Sequence, residues 1–222
     1  MAAAPRRLEK AGWQDAGVRA LSGGLTRQLL DEGVRGAYHT LDIIDEKLLE
    51  SGSARLSRTV ELANLSSIIG NLLAGVITAK SDGVFQRAGA HKYQDLRAGK
   101  AGAENIEIKM ALETNAPKGH LAKEGKYLTA RYVLCSDDGA YKPKVRGEVA
   151  FIWELRFGAL TATHFNISNT AGDSGKTAVV NSEGLKALKI VYFDASRCPY
   201  GARSAYLKKL AAQPALISGV ED

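Results

Sequence analysis

The chain has 222 residues, 45% of them hydrophobic and 24% charged, an ordinary globular mixture from which a sizeable core is expected. Its net charge of +6 favours approach to a polyanion such as nucleic acid, or to an anionic membrane surface. The two cysteines, Cys135 and Cys198, lie far apart without metal-binding spacing, which argues against a disulfide framework or zinc site and for free thiols.

The opening "MAAAPRRLEKAGW" has basic residues with no apolar stretch behind them, and no apolar run comes near the roughly 18 residues that span a bilayer. The expectation is a cytoplasmic protein with no membrane partner. Residues 25–50 carry apolar positions at helical spacing, with Leu41, Ile44, Leu48 and Leu49 on one side, and predict one or two helices. After "SGS" at 51–53 a second stripe runs through Leu56, Val60, Leu65, Ile68, Ile69, Leu72 and Leu73. There Gly70 and Gly75 weaken the helix or let something pack closely.

From about residue 83 the period changes to that of strands. "GVFQR", "NIEIKMALE", "KYLTARYVLCS", "GEVAFIWELRFGAL", "HFNISN" and "LKALKIVYFD" are short, rich in β-branched and aromatic residues, and separated by turn-forming clusters. "SAYLKKLAAQ" closes the chain as a short amphipathic helix. Helices followed by strands predict a single α+β domain over 1–222, with helices mainly in the N-terminal third and a central mixed β-sheet.

The strand "IEIKMAL" poses the functional question. Side chains two apart on a strand share a face, so Glu107 and Lys109 stand together while Ile106, Ile108, Met110 and Leu112 pack inward. Asp95 precedes them by a short loop or hairpin. Two converging carboxylates plus a backbone carbonyl suit Mg²⁺, and a neighbouring lysine could orient a water and steady charge on a phosphate. The simpler reading is a pair of opposite charges on a solvated strand face.

"QD" at 94–95 followed by "IEIK" at 106–109 resembles the PD-(D/E)XK nuclease signature, with Gln94 where proline is frequent. "VELANLSSIIGNLL" occupies the place of the helix that precedes the first acidic strand in that family, and "PKGHLAKEGKYLTARYVL" is similar to the segment that follows E-x-K in several restriction endonucleases. The likeness covers about residues 56–135. It implies a restriction-endonuclease-like fold with a catalytic core at about 56–195 and helices at 20–50 for dimerisation. It also implies Mg²⁺ held by Asp95, Glu107 and the Ile108 carbonyl, with Lys109 orienting the water and Glu61 in support. The expected activity is hydrolysis of double-stranded DNA to 5′-phosphate and 3′-hydroxyl ends by a homodimeric type II restriction endonuclease.

Lys118, His120, Lys123 and Arg131 are the expected DNA contacts, His120 foremost, although a solvated lysine-rich loop is the simpler explanation for most of them. Glu61 reads as readily as a helix-surface glutamate. Another nuclease on the same scaffold, acting in repair, recombination or phage defence, stays open, as do a basic DNA-binding protein without catalysis and a structural or partner-binding protein. "TAGDSGKTA" falls short of a phosphate loop because Thr170 stands where glycine is required.

Overall fold

The computed structural model describes residues 6–89, 94–119, 122–168, 177–201 and 204–211. Helices α1 (Asp15–Ala20), α2 (Arg27–Glu50), α3 (Leu56–Thr59) and α4 (Leu62–Lys80) come first, followed by strands β1 (Phe85–Arg87), β2 (Leu96–Ala98), β3 (Ile106–Leu112), β4 (Lys118–Gly119), β5 (Gly125–Cys135), β6 (Val149–Leu160), β7 (Phe165–Ser168) and β8 (Thr177–Val180). Helix α5 (Ser182–Ala187), strand β9 (Lys189–Phe193) and helix α6 (Ala205–Ala211) complete the described chain. The protein is α+β: a six-stranded sheet ordered β1-β2-β3-β5-β6-β9, and a smaller antiparallel sheet ordered β4-β8-β7. The β3–β5 pair is parallel and every other neighbouring pair antiparallel, so the large sheet is mixed.

Helix α2 starts where the Thr26 hydroxyl accepts the Leu29 amide at 3.1 Å, an N-cap that satisfies one of the first turn's otherwise unpaired donors. It buries Leu29, Leu30, Val34, Ala37, Tyr38 and Leu41. Gly33 lets it approach α4 closely, because a Cβ there would lie 2.6 Å from Ile77 Cγ1. The periodic pattern from Leu56 onward is not one helix: it breaks at Val60 and Glu61, and α4 begins at Leu62.

Strands β5 and β6 are buried along nearly their whole length, which follows from cover on both faces. Leu128, Ala130, Tyr132 and Leu134 of β5 join the core under α2 and α4. Tyr127, Val133 and Cys135 point the other way, into smaller clusters with Phe165, Val180, Trp153 and Tyr206. Cys135 and Cys198 are both free thiols.

Several sequence expectations need correction. The stretch "LKALKIVYFD" is not strand throughout, since Asn181 caps a helical turn by accepting the Gly184 amide at 2.9 Å and β9 begins only at Lys189. The reading that no apolar run nears membrane-spanning length also fails, because α4 has 19 residues and a mean hydropathy of 1.6. Here that helix lays Leu65, Ile69, Leu73, Ala74 and Ile77 into the core.

Tyr38 joins helix to sheet. Its hydroxyl accepts the buried Ile152 amide at 2.6 Å, and burial pushes its ionisation far above the ordinary tyrosine value. Tyr38→Phe leaves that amide without its partner, and urea unfolding should show a loss of about 1–3 kcal/mol.

Candidate active site

The β2–β3 ladder is short, and the site lies where it stops. Leu96 pairs with Ile106, and continuing that register would set Gln94 opposite Ile108. The ladder ends there, and two side chains take over. Asp95 Oδ2 accepts the Ile108 amide at 2.8 Å, and Glu107 Oε2 accepts the Gln94 amide at 3.0 Å. Each carboxylate thus crosses to the other strand and replaces a carbonyl that a continued ladder would have used. Lys109 Nζ donates to the second oxygen of Glu107. Asp95, Glu107 and Lys109 are therefore brought together.

Glu107 and Lys109 share the face expected of them, but it is not a solvated one. Glu107 is 6% exposed, and the Lys109 side chain 21%. Burial raises the Glu107 carboxyl above its ordinary 4.5, and the Asp95 charge pushes the same way; Lys109 opposes both. Ile106 and Ile108 meanwhile sit in the core beneath α4, as the alternation requires.

Beside this cluster lies a cavity of about 950 Å³. One wall is α4, contributing Leu62, Ala63, Ser66, Ser67, Gly70 and Asn71. Asp95 and the β3 residues from Ile108 to Leu112 form the floor, and Lys118, Gly119, Thr177 and Val179 of the small sheet stand opposite. Gly70 keeps the α4 wall close to β3, because a Cβ there would lie 3.1 Å from Met110 Cγ. Ser66 donates to the Leu62 carbonyl at 3.0 Å and shares a hydrogen bond of 2.9 Å with the Tyr132 hydroxyl.

Asp95, Glu107 and the Ile108 carbonyl are the groups that could hold a cation. A residue's N–H and C=O leave an extended strand on the same side, so the Ile108 carbonyl shares the edge on which its amide meets Asp95. Among the described residues no group of three or more His, Cys, Asp or Glu side chains gathers. Two carboxylates and a backbone oxygen suit Mg²⁺, which keeps several of its own waters, better than a metal needing a full set of nitrogen or sulfur ligands.

The other expected residues divide. Lys118 is exposed and lines the cavity. Glu61 is an exposed residue at the N-cap of α4 and does not line it. Lys123 is half-buried, its carbonyl accepting the Tyr127 hydroxyl at 2.7 Å, and is not part of the cavity wall. His120 lies outside the described residues, as do 170–176 of the glycine-rich stretch. Arg131 is corrected outright. It shares the face of Lys109, but at 1% exposure it is sealed beneath Tyr200 and Tyr206. Its Nε donates to Glu154 Oε2 at 2.6 Å, and Arg156 pairs with the other Glu154 oxygen at 3.0 Å. With both sides of its guanidinium occupied, Arg131 has no access to DNA.

Sequence reasoning missed the α4 wall and the Thr177–Val179 wall. Ser66, Ser67, Gly70 and Asn71, small or polar residues in a largely apolar helix, were the available signal for the first; "TAVV", at four residues, was a weak one for the second. Comparison with protein-family models, curated proteins and solved structures gave no match.

Two outcomes follow. A carboxyl with a raised folded value binds its proton more tightly folded than unfolded, so its contribution to stability is present below 4.5 and lost as pH rises through the raised value. Glu107→Gln should therefore gain stability relative to wild type across that window, seen by urea unfolding at pH 4 and pH 7. Glu154→Gln leaves two buried guanidiniums without a counter-charge, and the same assay at pH 7 should show a loss of about 3–5 kcal/mol.

Proposed function

We propose that the chain is a Mg²⁺-dependent endonuclease of the PD-(D/E)XK kind that hydrolyses phosphodiester bonds in double-stranded DNA, and in particular a type II restriction endonuclease acting as a homodimer. The observation that carries this reading is the crossed hydrogen bonding of Asp95 and Glu107, which holds two carboxylates and Lys109 together beside a cavity. A solvated pair of surface charges explains it less well, because Glu107 is buried and its ionisation opposed.

In this reading Asp95, Glu107 and the Ile108 carbonyl hold Mg²⁺, which supplies charge neutralisation at the phosphate and acidifies a water. Asp95 and Glu107 enter already oriented by backbone amides and need little rearrangement. Lys109 orients the attacking water in line with the scissile bond and stabilises charge developing on the phosphate oxygens, leaving 5′-phosphate and 3′-hydroxyl ends. Lys118 sits where it could hold a neighbouring phosphate. Ser66, Ser67 and Asn71 offer neutral hydrogen-bonding groups across the cavity. The homodimer rests on chemistry, since one such site cuts one strand and a two-fold pair matches a palindromic duplex. The outer surface of α2, with Ile43 and Leu49 exposed, is the proposed contact.

A plasmid digest tests the reading. Cleavage at a defined short sequence should require Mg²⁺ and cease on chelation. Lys109→Ala should lower cleavage roughly 10²–10³-fold while leaving DNA retardation in a gel unchanged. Undiminished cleavage by that variant rules out the assignment; random nicking by the wild type rules out the restriction reading alone.

A further inference from the structure

Gln94 carries an unusual backbone at a critical place. Among the described residues four that are not glycine have positive φ: Asp82, Gln94, Glu113 and Lys144. Asp82, Glu113 and Lys144 lie in turns away from the carboxylate pair. Gln94, at φ 72°, immediately precedes Asp95 and donates its amide to Glu107. An L-residue in this left-handed region brings its Cβ against a carbonyl oxygen, a conformation that glycine tolerates freely, asparagine fairly well and β-branched residues poorly.

The geometry points to Gln94 as a positioning residue for the proposed metal site: its left-handed backbone aims the N–H that fixes Glu107, and the side chain is not what matters. Among the described residues its carboxamide makes no hydrogen bond; its nitrogen lies 3.7 Å from where a Cβ on Gly125 would stand, an ordinary contact. The amide, by contrast, is the Glu107 partner on the far strand, and its direction is set by the φ and ψ of this stretch.

The inference also accounts for the departure from the resembled motif. Proline at 94 has φ near −65° and no N–H, so it would lose both the conformation and the donor that hold Glu107 in this chain. Restoring the commoner motif should therefore damage the site.

This inference rests on the metal-dependent reading, and a binding experiment separates the two. Mn²⁺, as a probe for Mg²⁺, is titrated into the full metal-free chain by calorimetry, with a thermal unfolding curve for each variant. Gln94→Gly and Gln94→Asn should bind Mn²⁺ as the wild type does. Gln94→Ala, unbranched like the glutamine it replaces, should also bind as the wild type does, whereas Gln94→Val and Gln94→Pro should unfold at a lower midpoint and, titrated where they are still folded, bind roughly 10-fold more weakly. Wild-type affinity in Gln94→Val and Gln94→Pro overturns the inference, and so does a loss in Gln94→Gly as large as in Gln94→Val. If the valine and proline variants fail to fold, a loss of Mn²⁺ affinity in Gln94→Ala, which removes only the carboxamide, overturns it. A wild type that binds no Mn²⁺, or binds it equally well after Glu107→Gln, instead removes the metal reading and this inference with it.

Discussion

A pair of side-chain carboxylates standing in for backbone carbonyls is the constraint on which the site depends. Where the β2–β3 ladder gives out, the amides of Gln94 and Ile108 need acceptors, and Glu107 and Asp95 supply them from the opposite strand. This places two negative charges close together in a poorly hydrated spot, an arrangement that raises the ionisation of Glu107 and is relieved on one side by Lys109. The same hydrogen bonds that complete the local fold create the electrostatic deficit that a cation would fill.

That deficit lies on one face of the large sheet, which changes character across its strands. Lys109 pairs in register with Thr129, and Thr129 with Arg156. One row further on, Ala111, Arg131 and Glu154 follow. Lys109, at the cavity end of the first row, is partly exposed, while Thr129 and Arg156 are buried; the next row is closed over by the stacked rings of Tyr200 and Tyr206, whose centroids lie 4.3 Å apart. Arginine, glutamate and tyrosine hydrogen-bond to one another there, and the cluster ties Tyr200 and the start of α6 to the middle of the sheet. Charged residues on one face thus serve opposite ends: Lys109 lines the cavity, while Arg131, Glu154 and Arg156 brace the fold.

Much of this architecture was legible in the sequence. Long periodic helices and long apolar strands announced themselves, and the alternation around Glu107 correctly placed both charges on one face. Some short elements were not legible: β2, β4 and β8, of three, two and four residues, went unread, although β1 and β7, no longer than β8, were marked by their aromatic residues. Arg131 was misjudged for a different reason. Its face on β5 was readable, but burial depended on Glu154 in β6 and on tyrosines about 70 residues onward, which no local pattern reveals. The hydrogen bonds to Gln94 and Ile108 were equally hidden, because they depend on where a ladder ends.

The small sheet has a consequence for how the molecule comes into being. Asp95, Glu107 and Lys109 are close in sequence and leave the ribosome within a short interval. The barrier across from α4 is different: β8, which carries Thr177 and Val179, pairs with β4 only after some 60 further residues have been synthesised. A nascent chain therefore carries both carboxylates and Lys109 before it has a groove, and the wall opposite α4 arrives late, with the last third of the polypeptide.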